Sequence, residues 1–382
     1  MKILYVATVR SHVGQFHVDY LKKLKELSAE IHAAYRDNSE DKPGLDLSVI
    51  DRTFEIPFQR SPFKIDNIRS YFKLKKIIDS ENYDLIHCHT PVGGIITRLA
   101  ARHARKKGTK VVYTAHGFHF YEGAGKKNWL IYYTLEKMFA KMADAIITIN
   151  KEDYERAKSF KCKNVFLVHG VGVDINKFHV YDERKAQEIK ARYGYSTKYI
   201  MVYPADLSVR KNQTMLVDVA SRMKERNPGL DFVILMPGQP IMKEALEQKA
   251  AENGVSENCL FMGYRRDIND LVAMSDVMVS SSKQEGLPVC VMEAMAEGKP
   301  IVCTKVRGNE DLVIPGENGY LCNVNDVEAM SDYILQLSMD REKRMKMGAK
   351  SRRMIEGEYC TEVINEKLLC IYKKLLGGQF LN

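Results

Sequence analysis

The sequence has no long apolar run. Its apolar stretches, such as AIITI and VMVS, are far shorter than the ~20 residues that a membrane-spanning helix needs. The N-terminal MKILYVATV meets Arg10 too early for the apolar region of a signal peptide, so we interpret it as a first buried strand. We therefore expect a cytoplasmic chain, with any membrane contact peripheral at the inner face of the plasma membrane.

Paired cysteines, fixed-period repeats and low-complexity tracts are also missing. The eight cysteines are scattered and none has CxxC spacing, which predicts free thiols in a reducing compartment rather than disulfides or a zinc site. Hydrophobic residues make up 45% of the chain and charged residues 28%, a composition typical of globular proteins.

The net charge of +9 is concentrated in the first half. Residues 1–170 carry 29 Lys and Arg against 19 Asp and Glu, whereas residues 171–382 carry 29 against 30. This asymmetry favours an anionic partner for the first half, either a nucleic acid or a lipid surface, with solvated basic helix faces as the alternative. Two predicted helices carry the basic residues concerned: Lys22, Lys23 and Lys25 on one, and Arg98, Arg102, Arg105, Lys106 and Lys107 on the other.

Short β-branched runs alternate with amphipathic helical stretches along the chain, and the rhythm restarts after the turn-rich segment GVGVDINKF. Such alternation predicts parallel sheets covered by helices on both faces. At 382 residues we expect two α/β domains, residues 1–172 and 173–360, with a C-terminal helix 361–382 completing the first. In such sheets ligands bind beyond the carboxyl ends of the strands, so we expect a site in a cleft between the domains.

The most informative segment is DVMVSSSKQEGLPVCVMEAMAEG. A predicted strand ends in serines, a loop carries Glu285, Gly286 and Leu287, and Pro288 suits the first turn of the next helix. Backbone N–H groups at the start of that helix predict an anion site. Either Glu285 or Glu293 alone is more typical of a loop acid or a solvated helix residue. Their shared context instead predicts carboxylates that accept sugar hydroxyls beside a phosphate.

The segment from Glu285 to Glu293 resembles the E-x7-E signature of family-4 retaining glycosyltransferases with the GT-B fold. In the first half RSPF, DLIHCHTPVGG, TAHGFHFYEGA and ITINKEDYERAK are similar to bacterial exopolysaccharide and capsule glycosyltransferases. The resemblance implies two facing Rossmann-like domains and a nucleotide-sugar donor, with UDP favoured. It also implies a lipid-diphosphate-linked or saccharide acceptor for surface polysaccharide synthesis, and no metal or other cofactor.

The resemblance also implies roles for individual residues. It assigns Glu285 to hydroxyls of the donor sugar, Glu293 to the ribose, and Gly286, Leu287 and Pro288 to the sugar and pyrophosphate. Lys211, with Arg210 as a helper, would neutralise the departing diphosphate. Asp206 departs from the family pattern, because it stands where an arginine is usual. A carboxylate there should repel diphosphate unless it faces away or pairs with Arg210 or Lys211.

Further donor contacts are implied outside this segment. His116 would bind the donor sugar, and Tyr264 and Arg265 lie in a stretch similar to the one whose backbone receives the nucleobase. Gly14 follows the first strand and would let the backbone approach the donor phosphates, although an ordinary turn explains it equally well. His87 and His89 lie on one face of a strand, and we predict no metal site there because no partner ligands are evident.

Retaining transfer is expected to proceed by front-side displacement, in which the leaving diphosphate helps to deprotonate the acceptor. Two other hypotheses are kept open. A UDP-sugar 2-epimerase has the same fold but lacks the paired glutamates. A non-enzymatic nucleic-acid-binding protein would explain the basic half, yet it leaves the EGLP segment unexplained, and no RNA-binding aromatic platform is visible.

Overall fold

The computed structural model describes residues 1–40, 44–59, 61 and 64–377. Most of the RSPF segment and the end of the predicted C-terminal helix therefore lie outside the described residues. The chain divides into two compact units. Unit 1 comprises Met1–Val171 with the C-terminal segment that begins at Ile364, and unit 2 comprises Gly172–Val363.

Unit 1 is built on a parallel sheet of seven strands. They are β1 (Lys2–Val9), β2 (Glu30–Arg36), β3 (Arg52–Glu55), β4 (Leu85–His89), β5 (Lys110–Ala115), β6 (Ala145–Thr148) and β7 (Val165–Leu167). Their order in the sheet is β3-β2-β1-β4-β5-β6-β7. The sequence predicted this alternation except for β3, a short edge strand that is mostly exposed and so lacks an apolar signature.

Helices cover both faces of this sheet. They are α1 (Arg10–Phe16), α2 (Val18–Glu26), α3 (Asp66–Glu81), α4 (Pro91–Ala100), α5 (Arg102–Lys106), α6 (Lys126–Asn128), α7 (Thr134–Ala140) and α8 (Lys151–Lys158), with a π-helical turn at Trp129–Tyr133. The basic helix predicted as one element is in fact two, α4 and α5, which break at Ala101. The segment RSHVGQF, predicted as a loop, forms α1.

Unit 2 repeats the design with six parallel strands. They are β8 (Tyr199–Val202), β9 (Phe232–Pro237), β10 (Cys259–Gly263), β11 (Val277–Ser280), β12 (Ile301–Thr304) and β13 (Gly319–Cys322), in the order β10-β9-β8-β11-β12-β13. Its helices are α9 (Glu183–Arg192), α10 (Gln213–Arg226), α11 (Lys243–Glu252), α12 (Ile268–Ala273), α13 (Val289–Ala296), α14 (Asn309–Leu312), α15 (Val327–Met339) and α16 (Arg341–Met354).

The last helix, α17 (Thr361–Leu376), follows a π-helical turn at Ile355–Tyr359 and returns the chain to unit 1. Its apolar face joins the core around β1 and β2 through Ile364, Ile371 and Tyr372. The Tyr372 hydroxyl lies 3.2 Å from that of Tyr5 and 2.6 Å from Nδ1 of His87. The helix is thus part of the first domain's interior.

The sheets also fix where loops can converge. Strand order reverses between β1 and β4 in unit 1 and between β8 and β11 in unit 2. At such a switch point the two loops that leave the carboxyl ends diverge to opposite faces and open a crevice for ligands. Each unit therefore has one crevice defined by its own topology.

All eight cysteine thiols are free, as predicted, and most of them are buried. None of the helices in the described ranges combines the length and apolar character needed to cross a bilayer.

The predicted basic face at Arg98 is wrong. The Arg98 side chain is fully buried, its Nη2 lies 2.9 Å from Oε2 of Glu136, and its guanidinium lies over the ring of Tyr113. Arg105 likewise pairs with Asp144 at 2.9 Å. The pattern of polar and apolar residues along a helix does not distinguish an exposed cation from one that pairs with an acid in the interior. The prediction from sequence therefore placed these arginines on the surface.

Candidate active site

Lys211 and Glu285 meet at the switch point of unit 2. Lys211 ends the loop after β8, and Glu285 lies in the loop after β11, the neighbouring strand. The Nζ atom of Lys211 donates to Oε1 of Glu285 at 2.6 Å, and both side chains are largely buried. The structure therefore brings together two residues that the sequence predicted for sugar binding and for diphosphate neutralisation.

Two side-chain hydroxyl groups hold the Glu285 carboxylate in position through successive hydrogen bonds. Ser282 Oγ donates to Oε1 of Glu285 at 2.5 Å, and the buried Tyr203 hydroxyl lies 2.7 Å from Ser282 Oγ. Neither Ser282 nor Tyr203 was predicted as a site residue. The run of serines at the end of a predicted strand was a signal for Ser282, because one of them had to face the crevice, whereas no sequence pattern pointed to Tyr203.

The second carboxylate oxygen of Glu285 is less engaged. Its contact is with Arg210 Nη1 at 3.5 Å, and the Arg210 side chain is about half exposed. A carboxylate offers about four lone-pair positions, and two of those on Oε1 are used by Lys211 and Ser282. Oε2 is thus the atom of Glu285 that has capacity for a ligand hydroxyl.

The EGLP backbone is held tightly from the other side. Arg307 Nε donates to the main-chain carbonyl of Glu285 at 3.0 Å. Gly308 has a φ of +81°, and a Cβ added there would lie 2.5 Å from the carbonyl oxygen of Gly286. Only glycine allows this approach, so residues 307–308 define the shape of the loop that presents Glu285.

Helix α13 begins at Val289, so Pro288 occupies the N-cap position rather than the first turn that we predicted. The consequence is small, because a proline at either position sacrifices no helical hydrogen bond. Leu287 is buried beside it. Gly286, Leu287 and Pro288 therefore form the entry to the helix, and their predicted contact with donor phosphates remains a prediction.

Glu293 projects from the middle of α13 and is partly buried. Burial raises the pKa of this carboxyl to about 7, and nearby Lys177 opposes the shift only in part. A carboxyl with this pKa changes charge near neutral pH. In its predicted role as a ribose anchor it would bind hydroxyls more strongly above neutral pH, because the ionised carboxylate is the better hydrogen-bond acceptor.

Asp206, the residue that departs from the family pattern, is exposed and does not pair with the neighbouring cations. Its Oδ1 accepts from the backbone N–H of Gln239 at 3.2 Å, whereas Arg210 and Lys211 both contact Glu285. The loops after β8 and β9 touch here, since a Cβ on Gly238 would lie 1.9 Å from the carbonyl oxygen of Ala205. Through its hydrogen bond with Gln239, Asp206 joins the loop after β8 to the loop after β9.

Tyr264 and Arg265 follow β10, as predicted. The Tyr264 side chain is 63% exposed and therefore largely accessible to solvent. Arg265 forms an ion pair with Asp267, and Arg265 Nε donates to Oδ1 of that residue at 2.8 Å. The guanidinium is therefore already engaged, and any nucleobase contact would come from the backbone.

The unit 1 residues lie around the other switch point. His116 directly follows β5, and its Nε2 lies 3.3 Å from Nε2 of His12 and 3.1 Å from Nδ1 of His89. Gly14 lies inside α1 rather than in a loop, which corrects its predicted placement. A Cβ on Gly14 would lie 3.0 Å from Cβ and Cδ1 of Leu45, so a larger residue would press on that side chain. The predicted contact of Gly14 with donor phosphates stays a prediction. The sequence missed the convergence of histidines around His116.

Two family models cover most of the chain. Residues 185–354 match the model described as glycosyl transferases group 1, and residues 2–150 match the one described as glycosyl transferase 4-like. The two matched regions fall within the second and first doubly wound units, respectively, and so define a class of two-domain sugar transferases.

The relatives agree with these models. The putative glycosyltransferase EpsD of Bacillus subtilis is 41% identical over 355 residues, which cover 92% of this chain and 91% of the relative. The UDP-Gal:alpha-D-GlcNAc-diphosphoundecaprenol alpha-1,3-galactosyltransferase of Escherichia coli is 29% identical over 78% of this chain and 77% of its own. The chain belongs to the group 1, 4-like glycosyltransferase family.

Solved structures show the same fold. The crystal structure of HepE from Anabaena in complex with UDP and glucose matches with a TM-score of 0.80 at 19% identity, covering 98% of this chain and 100% of that one. A glycosyltransferase from Rickettsia africae matches with a TM-score of 0.79 at 20% identity, covering 99% of both chains. The predicted GT-B class with two Rossmann-like domains is confirmed.

Proposed function

We propose that this glycosyltransferase moves a sugar from a UDP-sugar to a lipid-diphosphate-linked or saccharide acceptor during synthesis of a bacterial surface polysaccharide. The observation that carries the proposal is the pairing of Lys211 with Glu285 at the switch point of unit 2. A cation and a carboxylate side by side suit a ligand that combines a diphosphate with sugar hydroxyls.

The roles divide between the two side chains. Lys211 carries three N–H donors and uses one for Glu285, so the others can reach a diphosphate. Glu285 presents Oε2 to the sugar hydroxyls, and Glu293 takes the ribose in its ionised form. Arg210, which is about half exposed beside Glu285, supplies a second cation for the diphosphate. We propose no metal or other cofactor for the transfer itself.

We propose that transfer retains the anomeric configuration, as the resemblance to family-4 retaining glycosyltransferases implies. Glu285 is engaged by Lys211 and Ser282, and such a carboxylate is a weak nucleophile. Front-side displacement instead uses the leaving diphosphate as the base for the acceptor hydroxyl. The protein then contributes position and electrostatic stabilisation of the departing charge.

The relatives support the nature of the acceptor. The Escherichia coli galactosyltransferase is named for a UDP-sugar donor and a diphosphoundecaprenol-linked sugar. A Campylobacter jejuni relative, 23% identical over 98% of this chain, is named for a diphospho-undecaprenol acceptor as well. A lipid carrier of this kind resides in a membrane, so an enzyme that uses it must work at the bilayer surface.

An apolar stripe on α3 supplies a surface for this. Ile65, Ile68 and Phe72 recur at helical spacing and are 74%, 57% and 64% exposed. Exposed cations flank the stripe at Lys73 and Lys76. Apolar side chains between lysines are suited to the interface of an anionic bilayer, and we propose that surface as the partner of α3. Lys22, Lys23 and Lys25, the earlier candidates, each pair with an acid.

The decisive experiment offers a panel of UDP- and GDP-sugars with a polyprenyl-diphosphate-sugar acceptor and detects transfer by mass spectrometry. We expect transfer from a UDP-sugar and a product with the anomeric configuration of the donor. Glu285→Gln should reduce turnover by about 100-fold or more, whereas the exposed Glu257→Gln should match the wild type. An absence of both transfer and donor hydrolysis across the panel would refute the proposal.

A further inference from the structure

Four histidines converge at the switch point of unit 1. His12 and His17 follow β1, His89 ends β4, and His116 follows β5. One ring nitrogen from each lies within 4.8 Å of those of the other three. The residues are 104 positions apart at the extremes, and only the parallel sheet brings them together.

Half of the distances between these nitrogens match a coordination shell. Nε2 of His12 lies 3.3 Å from Nε2 of His17 and 3.3 Å from Nε2 of His116, and Nε2 of His116 lies 3.1 Å from Nδ1 of His89. Zinc binds histidine nitrogen at about 2.0–2.1 Å in a tetrahedron, which places neighbouring nitrogens about 3.3 Å apart. Three of the six pairs among the four rings thus have that spacing, and no pair exceeds 4.8 Å, so small side-chain rotations would complete the shell.

Hydrogen bonds alone cannot account for this arrangement. A ring nitrogen of a neutral imidazole has either one N–H or one lone pair, so it makes one good hydrogen bond. The contacts run in a chain from His17 to His12, His116 and His89, and both middle nitrogens would each need two bonds. At most two of the three contacts can be satisfied. A cation at the centre would instead accept one lone pair from every ring.

Burial also disfavours protonation of these rings, so their nitrogen lone pairs stay available. Burial lowers the pKa of His12 to about 4 and holds the pKa of His17, His89 and His116 well below the usual range. The rings are therefore neutral at physiological pH, which is the form that binds metals. Neighbouring His87 is not part of the set, because Tyr372 and Thr114 engage both of its nitrogens.

We propose that His12, His17, His89 and His116 form a binding site for one transition-metal ion, with zinc as the best match. Four imidazole nitrogens complete a tetrahedral shell, and this ligand type suits zinc, copper, nickel and cobalt rather than magnesium or calcium. His12 and His116 are only partly buried, so they form the side by which an ion enters. The site follows from the geometry of unit 1 alone and does not depend on the proposed sugar transfer.

The test is metal binding by the full chain without a polyhistidine tag. After removal of metal with a chelator, zinc titration followed by calorimetry should give one ion per chain, and cobalt should give the intense visible absorption of a tetrahedral complex. His12→Ala and His116→Ala should each weaken zinc binding more than about 100-fold, the upper end of what second-shell changes cause. Circular dichroism checks that the variants fold.

The exposed His103 supplies the matched control, because His103→Ala removes a histidine of the same unit without touching the cluster. Its zinc affinity and stoichiometry should equal those of the wild type. The proposal is overturned if the wild type binds no zinc, if cobalt shows only the weak spectrum of octahedral coordination, or if folded His12→Ala and His116→Ala chains bind zinc as the wild type does.

Discussion

Nζ of Lys211 and Oε1 of Glu285 are joined by a 2.6 Å hydrogen bond between the loops that follow β8 and β11. The two side chains are 12% and 6% exposed, so the pair is shielded from water and its geometry is set before any ligand arrives. A preformed pair requires little reorganisation when charge develops on a leaving group.

Replacing Lys211 therefore tests electrostatic stabilisation directly. We expect Lys211→Ala to lower kcat by about 100- to 1000-fold, because a donor aimed at the departing charge is lost. The fold should persist, since Glu285 keeps its bond from Ser282. Steady-state kinetics measures the change in kcat, and thermal unfolding checks that the variant is folded. The neighbouring exposed Lys283→Ala is the control and should retain wild-type turnover; near-normal turnover of Lys211→Ala would remove this lysine from the mechanism.

In its proposed role as ribose anchor, Glu293 makes donor binding depend on pH. Its pKa is raised to about 7, so the carboxyl ionises as pH rises through neutrality. We expect the donor KM of the wild type to fall between pH 6 and pH 8, on the order of tenfold. Glu293→Gln should have a raised donor KM that does not vary with pH across this range. Initial rates over a series of donor concentrations at each pH provide the measurement.

Glu293→Gln should weaken donor binding but increase the free energy of unfolding above neutral pH. A carboxyl whose pKa is raised by folding contributes stability below its unfolded pKa, and that contribution is lost as pH rises through the folded value. Relative to the wild type, Glu293→Gln should therefore be equally stable near pH 4.5 and about 1–3 kcal/mol more stable near pH 8. Glu257→Gln, at an exposed position, should show neither effect; an unchanged stability difference across pH would contradict the shifted pKa.

The buried pair of Arg98 and Glu136 makes a prediction about stability. Arg98→Met leaves Glu136 buried with the Tyr113 hydroxyl, at 2.8 Å, as its one side-chain donor among the residues that the structure describes. Removing one partner of a buried ion pair costs about 3–5 kcal/mol. Urea unfolding, followed by the fluorescence of Trp129, the only tryptophan, should report this loss.

The double variant separates charge from packing. Adding Glu136→Gln to Arg98→Met removes the uncompensated charge and keeps an oxygen for Tyr113, so a large part of the lost stability should return. Arg102→Met, on the exposed surface of the next helix, should be neutral. If the double variant is no more stable than Arg98→Met, the cost arises from lost packing of the guanidinium over Tyr113 instead.

The stripe on α3 predicts how the enzyme meets a membrane. Phe72→Ser and Ile68→Ser should each weaken binding to vesicles that contain anionic lipid by about tenfold, because each removes apolar surface from the interface. Sedimentation with vesicles at low salt measures this. Met339→Ser, which alters an equally exposed apolar side chain in unit 2, should bind normally, and equal binding by all three variants would exclude α3 as the contact.

Much of the fold was predictable because it depends on local patterns. Alternation of strands and helices predicted both parallel sheets, and the spacing of EGLP from Glu293 predicted a loop followed by a helix. Lys211 and Glu285 could each be proposed as donor-binding groups from their motifs. The direct hydrogen bond between them could not be predicted from the sequence, because it depends on β8 and β11 being neighbours in the sheet.

Other features depend on contacts that no local pattern encodes. His12, His17 and His89 become neighbours of His116 only through the strand order of unit 1, so the histidine neighbours of His89 could not be recognised from the sequence. Gly14 was placed in a loop because it directly follows the first strand, whereas the segment RSHVGQF forms α1. The inward direction of Arg98 depends on Glu136, which lies 38 residues away.

The return of α17 to unit 1 has a consequence for how the chain is made. Unit 1 needs Ile364, Ile371 and Tyr372 to close its core, and these residues are synthesised after the whole of unit 2. Unit 1 therefore cannot complete its core until unit 2 has been made. A nascent chain would keep apolar surface of its first domain uncovered throughout the synthesis of the second, and exposed apolar surface of this kind promotes aggregation.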